Sequence, residues 1–261
     1  MKTALVIATY NWPSALACCL NSLLLQSQMP DEIIIADDGS KVDTKELIDK
    51  FSALHKLPII HVWHEDTGFK LAHIRNKAIA KSTSDYIIQI DGDIIMHADF
   101  VKDHANNAEK NRYIKGSRVL LNEESTAHYL YHHKEQPSYL SSGIVNRLNA
   151  VRISFLQPLF FKKISDPFKI RGCNMSFWRR DFIEVNGYNE DIAGWGREDS
   201  ELVMRFINRN IFGKTLKFGG VAFHLHHKEN SKSDLHNNQS ILEETISKKL
   251  TRCSNGIDKY L

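Results

Sequence analysis

Over about its first hundred residues the chain alternates short apolar runs with amphipathic stretches, and each apolar run stops at polar residues. Ala4 to Ala8, Glu32 to Ala36, Pro58 to Trp63 and Asp85 to Ile90 read as strands without a polar face. Between them, Pro13 to Gln26 reads as a helix with Leu16, Leu20, Leu23 and Leu24 on one side. Thr44 to Leu54, carrying Leu47, Ile48, Phe51 and Leu54, and Leu71 to Ser82 read as two more. Strands apolar on both faces and separated by helices predict a mainly parallel sheet covered on both sides. Such sheets bind ligands beyond the carboxyl ends of their strands. The polar residues there are Thr9-Tyr10-Asn11, Asp37-Asp38, His64-Glu65-Asp66 and Asp91-Gly92-Asp93, so four strand ends converge on one crevice.

With 261 residues the chain can bury a substantial core. Hydrophobic residues make up 42% and charged residues 25%, as in ordinary globular proteins. A net charge of +3 is too mild to argue for nucleic acid, though it suits a phosphorylated ligand or an anionic surface. Cys18, Cys19, Cys173 and Cys253 form no Cys-x-x-Cys motif, which argues against a disulfide framework or a zinc site and for a reducing compartment. The opening apolar run stops at Thr9-Tyr10-Asn11, too early for a signal peptide. No stretch approaches the length of a membrane span. The expected location is the cytoplasm, with peripheral contact on the inner face of the cell membrane left open.

Two acidic centres carry the chemistry. Asp91-Gly92-Asp93 ends a strand, where paired carboxylates hold a hard cation. Gly194-Trp195-Gly196-Arg197-Glu198-Asp199 lies far downstream, where a carboxylate can act as a general base. A metal–diphosphate site beside a base points to group transfer from a nucleotide-activated donor. Singly, these motifs have plainer readings: an Asp-x-Asp or Asp-Asp-Gly-Ser can be a turn, and Glu198 and Asp199 can simply open a helix, where acids suit the dipole.

The middle, from about His104 to Phe168, is less regular. His128, His132 and His133 have no partner motif and read as surface. The basic-apolar stretch Arg147 to Lys163, with Phe155, Leu156, Leu159, Phe160 and Phe161, is most simply an insertion packed on the core. A mobile lid, an acceptor-binding arm and a membrane-touching helix are its alternatives. Order returns at Arg171 to Phe177. Helices follow at Arg180 to Asn186 and Glu198 to Asn208, then a strand from Phe218 to His224 that runs into Leu225-His226-His227. A polar tail from Glu229 is expected to be helical between Ile241 and Lys249.

In order and spacing, Thr9-Tyr10-Asn11, Ile34 to Ser40, Arg75-Asn76 and Asp91-Gly92-Asp93 resemble the nucleotide-binding half of the family-two inverting glycosyltransferases, which share the fold called GT-A. Gly194 to Leu202 resembles the acceptor-side motif of β-1,4-galactosyltransferases, found also in bacterial chondroitin-type polymerases. Glu65-Asp66-x-Gly68-Phe69 followed by Arg75-Asn76 is similar to the polymerase pattern. The resemblance spans roughly residues 4 to 227.

It implies an α/β, Rossmann-like GT-A domain over 1–261: a nucleotide-sugar-binding half at 1–103, a variable insertion at 104–170, an acceptor and catalytic half at 171–228, and a tail at 229–261. It further implies a UDP-sugar donor, a glycan or lipid-linked saccharide acceptor, and Mn²⁺ or Mg²⁺ as cofactor. Thr9, Tyr10 and Asn11, with Asp37 or Asp38, would hold uracil and ribose; Arg75 would lie near the diphosphate or sugar. Asp91 would contact ribose or metal, Asp93 would bind the metal directly, and His224 would be a late metal ligand with His226 and His227 as competitors. Asp199 would be the base, Glu198 would bind an acceptor hydroxyl, and Trp195 and Gly196 would meet the acceptor sugar. Arg197 departs from the galactosyltransferase pattern, which usually has glycine there, and suits a charged acceptor or a donor phosphate. Two other functions compete. A nucleotidyltransferase would need a glycine-rich phosphate loop, which Ala8 to Pro13 lacks; a non-catalytic binding protein would not need every acidic position kept.

Overall fold

The computed structural model describes residues 1–160, 162–228 and 234–261; Phe161 and the start of the tail at Glu229 lie outside the described residues. The expected alternation is present as β1 (Thr3–Thr9), α1 (Pro13–Leu23), β2 (Glu32–Asp37), α2 (Val42–His55), β3 (Ile59–Trp63), α3 (Leu71–Lys81) and β4 (Tyr86–Asp91). There follow β5 (Ile94–Met96), α4 (Phe100–Asn106), β6 (Arg112–Lys115), β7 (Arg118–Leu120), α5 (Glu123–Tyr131) and β8 (Lys163–Ile164). The last group is β9 (Asn174–Trp178), α6 (Arg179–Glu184), α7 (Glu198–Asn208), β10 (Phe212–Thr215), β11 (Ala222–His224) and α8 (Leu235–Ser247).

The main sheet has eight strands in the order β3-β2-β1-β4-β9-β6-β10-β8. Strands β1 to β4 are mutually parallel, while β9 runs antiparallel between β4 and β6. β10 is parallel to β6, so only β9 and the edge strand β8 oppose the common direction. Every residue of β1 is buried, because its side chains alternate between two cores. Ala4, Val6 and Ala8 pack with the side chains of α3 and α7, and Leu5 and Ile7 with those of α1 and α2.

In a second sheet, β5-β11-β7, only β11 corresponds to an expected strand, the end of Phe218 to His224; β5 and β7 had no counterpart in the sequence pattern. It pairs His224 with Ile94, and the Leu225 N–H donates to Asp93 O at 3.0 Å, which draws the histidine-rich segment onto the Asp91-Gly92-Asp93 turn. The strand expected from Phe218 begins only at Ala222: Phe218 and Gly220 take left-handed turns, with φ of 58° and 54°. The tail helix starts at Leu235 rather than Ile241. All four cysteines are free and buried. Among the described residues no helix is long and apolar enough to cross a membrane.

Candidate active site

The carboxyl ends of β1, β2 and β4 form one floor. Asp38 N–H donates to Thr9 O at 3.0 Å and Gly92 N–H to Ala8 O at 2.7 Å, so the three strand ends are laced together. Asn11, in a left-handed conformation, accepts from Lys41 N–H at 2.9 Å, and its own N–H donates to Ser40 Oγ at 2.8 Å. Asp37 accepts from Ser40 N–H at 2.8 Å and lies 2.9 Å from His61 Nε2. Asp38 lies 2.7 Å from His64 Nε2 and accepts from Lys70 N–H at 2.9 Å. Between them and the next loop there is no room: a Cβ on Gly39, at φ 93°, would fall 2.6 Å from Asp66 Cα. Asp66 in turn accepts from the half-exposed Tyr10 hydroxyl at 2.9 Å. Thr9, Tyr10, Asn11, Asp37 and Asp38 thus share one wall, with His61, His64 and Asp66 as partners that charge spacing alone did not pair.

Helix α3 joins this wall to the downstream acidic motif. Arg75 is fully buried and donates to Asp91 Oδ1 at 2.7 Å and to Asp199 Oδ1 at 3.2 Å. Burial works against its charge, but Tyr188, Asp91 and Asp199 hold the guanidinium above its ordinary range. Its neighbour Asn76 faces elsewhere: the amide donates to Tyr188 O and Glu190 Oε1, both at 2.8 Å, and accepts from Tyr188 N–H. One turn of α3 therefore fixes both the carboxylates and the 188–190 loop beside them.

Asp199 accepts two further bonds. Tyr188 Oη donates at 3.1 Å and Gly172 N–H at 2.6 Å, the latter to Oδ2. A Cβ on Gly172 would sit 2.1 Å from Asp199 Oδ1, so only glycine admits this approach. Glu198, the first residue of α7, is buried, and its Oε2 has no hydrogen-bond partner. Burial, helped by the Asp199 charge and opposed by Arg75, pushes its carboxyl up to about 7. Burial likewise lifts Asp91 to about 6, with Arg75 opposing.

The turn before α7 is held from behind. Asn238 of α8 donates to Ala193 O at 2.8 Å and Gly196 O at 2.9 Å. Arg205, also on α7, is fully buried on Glu201 and on the Val185 and Gly187 carbonyls. Trp195 and Gly196 lie on this braced turn. Arg197 follows at φ 78°, a left-handed conformation that favours glycine, and its guanidinium lies 5.2 Å from the Phe168 ring centroid.

Asp93, His224 and His227 offer donor atoms all within 4.8 Å of one another. His224 Nε2 and His227 Nε2 lie 3.6 Å and 3.2 Å from Asp93 Oδ2, while the buried Asp93 Oδ1 has no partner. A carboxylate with one oxygen beside two imidazoles and the other without a partner fits a divalent cation, and this mixed donor set suits Mn²⁺ better than Mg²⁺. Of the three competing histidines, His224 and His227 join the group. His226 instead anchors its backbone N–H on Thr126 Oγ1. Asp91, expected at both donor and metal, is engaged by Arg75 and stands outside this donor set. Tyr188 and Gly172 are the site residues that motif reading passed over, while His227, expected only as a competitor of His224, joins it in the donor set. The Asn186-Gly187-Tyr188 turn was the one available signal for the first.

The family model described as glycosyl transferase family 2 matches residues 4–183, and that described as the N-terminal domain of galactosyltransferase matches residues 160–228. The chain is 26% identical to an Escherichia coli chondroitin synthase over 239 residues, covering 85% of this chain and 34% of that protein. It is also 26% identical to a Pasteurella multocida hyaluronan synthase, covering 85% of this chain and 24% of that protein. The chain therefore spans a third or less of these relatives. Among solved structures, GalNAc-T7 with UDP, GalNAc and Mn²⁺ is similar at a TM-score of 0.69 and 15% identity, covering 93% of this chain and 48% of that one. A Pyrobaculum calidifontis mannosyltransferase in complex with GDP-Man and Mn²⁺ is similar at a TM-score of 0.61 and 16% identity, covering 87% and 58%. These likenesses establish the GT-A fold.

Proposed function

The chain belongs to glycosyl transferase family 2, and we propose that it moves a hexose or N-acetylhexosamine from a UDP-sugar to a glycan or lipid-linked saccharide with inversion, in bacterial surface polysaccharide synthesis. The observation that carries this reading is the buried Arg75, which bridges Asp91 on the donor side to Asp199 on the acceptor side.

Thr9, Tyr10 and Asn11 line the donor wall, and Asp38 or Asp37 accepts the imide hydrogen of uracil. Asp199 receives the proton of the attacking acceptor hydroxyl. Its side chain is the more open of the two adjacent acids, and Arg75, Tyr188 and Gly172 fix its orientation. Glu198, with a free buried oxygen, binds an acceptor hydroxyl. Trp195 offers a face to the acceptor sugar, and Gly196 lets the backbone approach it. Asp93, His224 and His227 would hold the divalent cation, which when bound neutralises charge on the diphosphate.

Screening UDP-sugars for metal-dependent UDP release, with and without oligosaccharide acceptors, tests the proposal. Acceptor-stimulated release supports it. Metal-dependent UDP binding without turnover on any sugar would favour a binding protein, and tighter competition by GDP or CDP than by UDP would overturn the uracil assignment.

A further inference from the structure

From Gln136 to Ser165 the sequence contains no aspartate or glutamate, yet it includes Arg147, Arg152, Lys162 and Lys163. The same segment carries large apolar side chains into solvent: Leu148 is 74% exposed, Phe155 77%, Leu159 74% and Phe160 50%. Its fold explains why. In the short 3₁₀ turn Ser154–Leu159, only Gln157 points inward, where its amide meets Asn107, Asp103 and the Phe218 carbonyl. With about three residues per turn, anchoring Gln157 leaves Phe155 and Leu159 on the outward sides. Phe160 then packs edge-to-face on Phe218 at 5.0 Å, and Phe218 itself is held at φ 58°, a costly conformation for a bulky residue. Lys217 lies 5.4 Å from the Phe218 ring and Lys162 is exposed two residues after Phe160, while the ammonium of Lys163 turns away to stack on the Phe212 ring at 3.5 Å.

We infer that Phe155, Leu159 and Phe160, with Lys162 and Lys217, form a docking surface for a lipid bilayer bearing anionic headgroups. Apolar side chains held out on a packed base, in a stretch with lysines and no acid of its own, match a surface that is apolar within and negative at its boundary. A second copy of the same face would instead bring its lysines against one another. Location adds a reason. Lys162 O accepts from Thr215 N–H at the carboxyl end of β10, which runs in the direction of β4. The surface therefore stands on the rim of the sheet that also holds the candidate site, and docking would turn that site toward saccharides carried on lipid. The surface itself rests on none of the catalytic assignments.

Flotation of the purified chain with vesicles of phosphatidylcholine, with and without phosphatidylglycerol, tests this. Retention is expected on the anionic vesicles and is expected to fall with added salt. Phe155→Ser with Leu159→Ser should lower it about tenfold or more, and Lys162→Glu with Lys217→Glu by a similar factor. Both double variants should keep wild-type UDP affinity and melt close to wild type, since Phe155, Leu159 and Lys162 are exposed and Lys217 is half-buried. Absence of retention on either vesicle, or retention that neither double variant lowers, overturns the inference. So does a monomer–dimer equilibrium abolished by Phe155→Ser with Leu159→Ser, which would assign the face to a second copy.

Discussion

Arg75 and Asp199 are 124 positions apart in the chain and meet at 3.2 Å. The same guanidinium holds Asp91 at 2.7 Å. A buried cation between two carboxylates is tolerated only with good geometry, and removal of a single partner leaves an uncompensated charge. The contact therefore fixes where the two acidic centres stand relative to each other.

Asp199→Asn is expected to lower transfer by about a hundredfold or more while UDP affinity stays near wild type. The amide must turn its nitrogen toward the Gly172 N–H or toward Arg75, so folding stability should also fall by about 1–3 kcal/mol. Tyr188→Phe keeps the carboxylate and should affect transfer far less. Full activity in Asp199→Asn would move the base to Glu198; loss of UDP binding would make the contact structural.

Calorimetry of Mn²⁺ with UDP separates the histidines. Asp93→Ala, His224→Ala and His227→Ala should each weaken binding by at least the roughly 10–100-fold typical of losing an outer-shell partner. His226→Ala should leave it unchanged, because that residue is tied to Thr126 through its backbone. Equal effects at His226 and His227 would contradict the donor set.

Glu198 imposes a pH signature on stability. Its carboxyl rises from 4.5 to about 7 on folding, chiefly through burial. Below about 4.5 both states keep the proton. Between there and about 7 the unfolded chain releases it and the folded protein holds it, so this group makes stability fall as pH rises through that window. Urea unfolding of Glu198→Gln should show a flatter pH slope there, together with a higher acceptor KM. An unchanged slope would show that the side chain is hydrated in solution.

Arg197 occupies backbone that glycine adopts more easily. Arg197→Gly relieves about 1–2 kcal/mol of left-handed strain but frees the unfolded chain by about 0.4–1 kcal/mol and gives up a cation–π contact worth about 0.5–1 kcal/mol. Stability should therefore stay within about 1 kcal/mol of wild type by these terms, while acceptor KM rises and UDP affinity does not change. A larger destabilisation would mark the arginine as a structural tie.

The wall at the strand ends was legible because β1, β2 and β4 are long enough to show two-sided burial and each ends in polar residues, whereas β3 at the sheet edge is only partly covered. β11 was expected as the end of Phe218 to His224, but β5 and β7 have three residues each, too short for a period to register, so the pairing that brings His227 to Asp93 was invisible. Tyr188 was missed for another reason: a lone tyrosine after a turn carries no pattern, and its value comes only from Gln89 and Asp199 folding around it. The exposed apolar residues of 147–163 were visible in the sequence, but not that one buried glutamine, Gln157, would turn them outward.

The position of β9 bears on how the chain can be made. β4 is paired with β1 on one side and with β9 on the other, and β9 is encoded more than eighty residues later. While a ribosome is still extending the chain, Tyr86–Asp91 is an open, apolar sheet margin. A fragment cut near residue 103 would keep that margin permanently bare and should associate with itself. Residues 1–103 are thus not expected to behave as a detachable module, because the free margin of β4 is covered by β9.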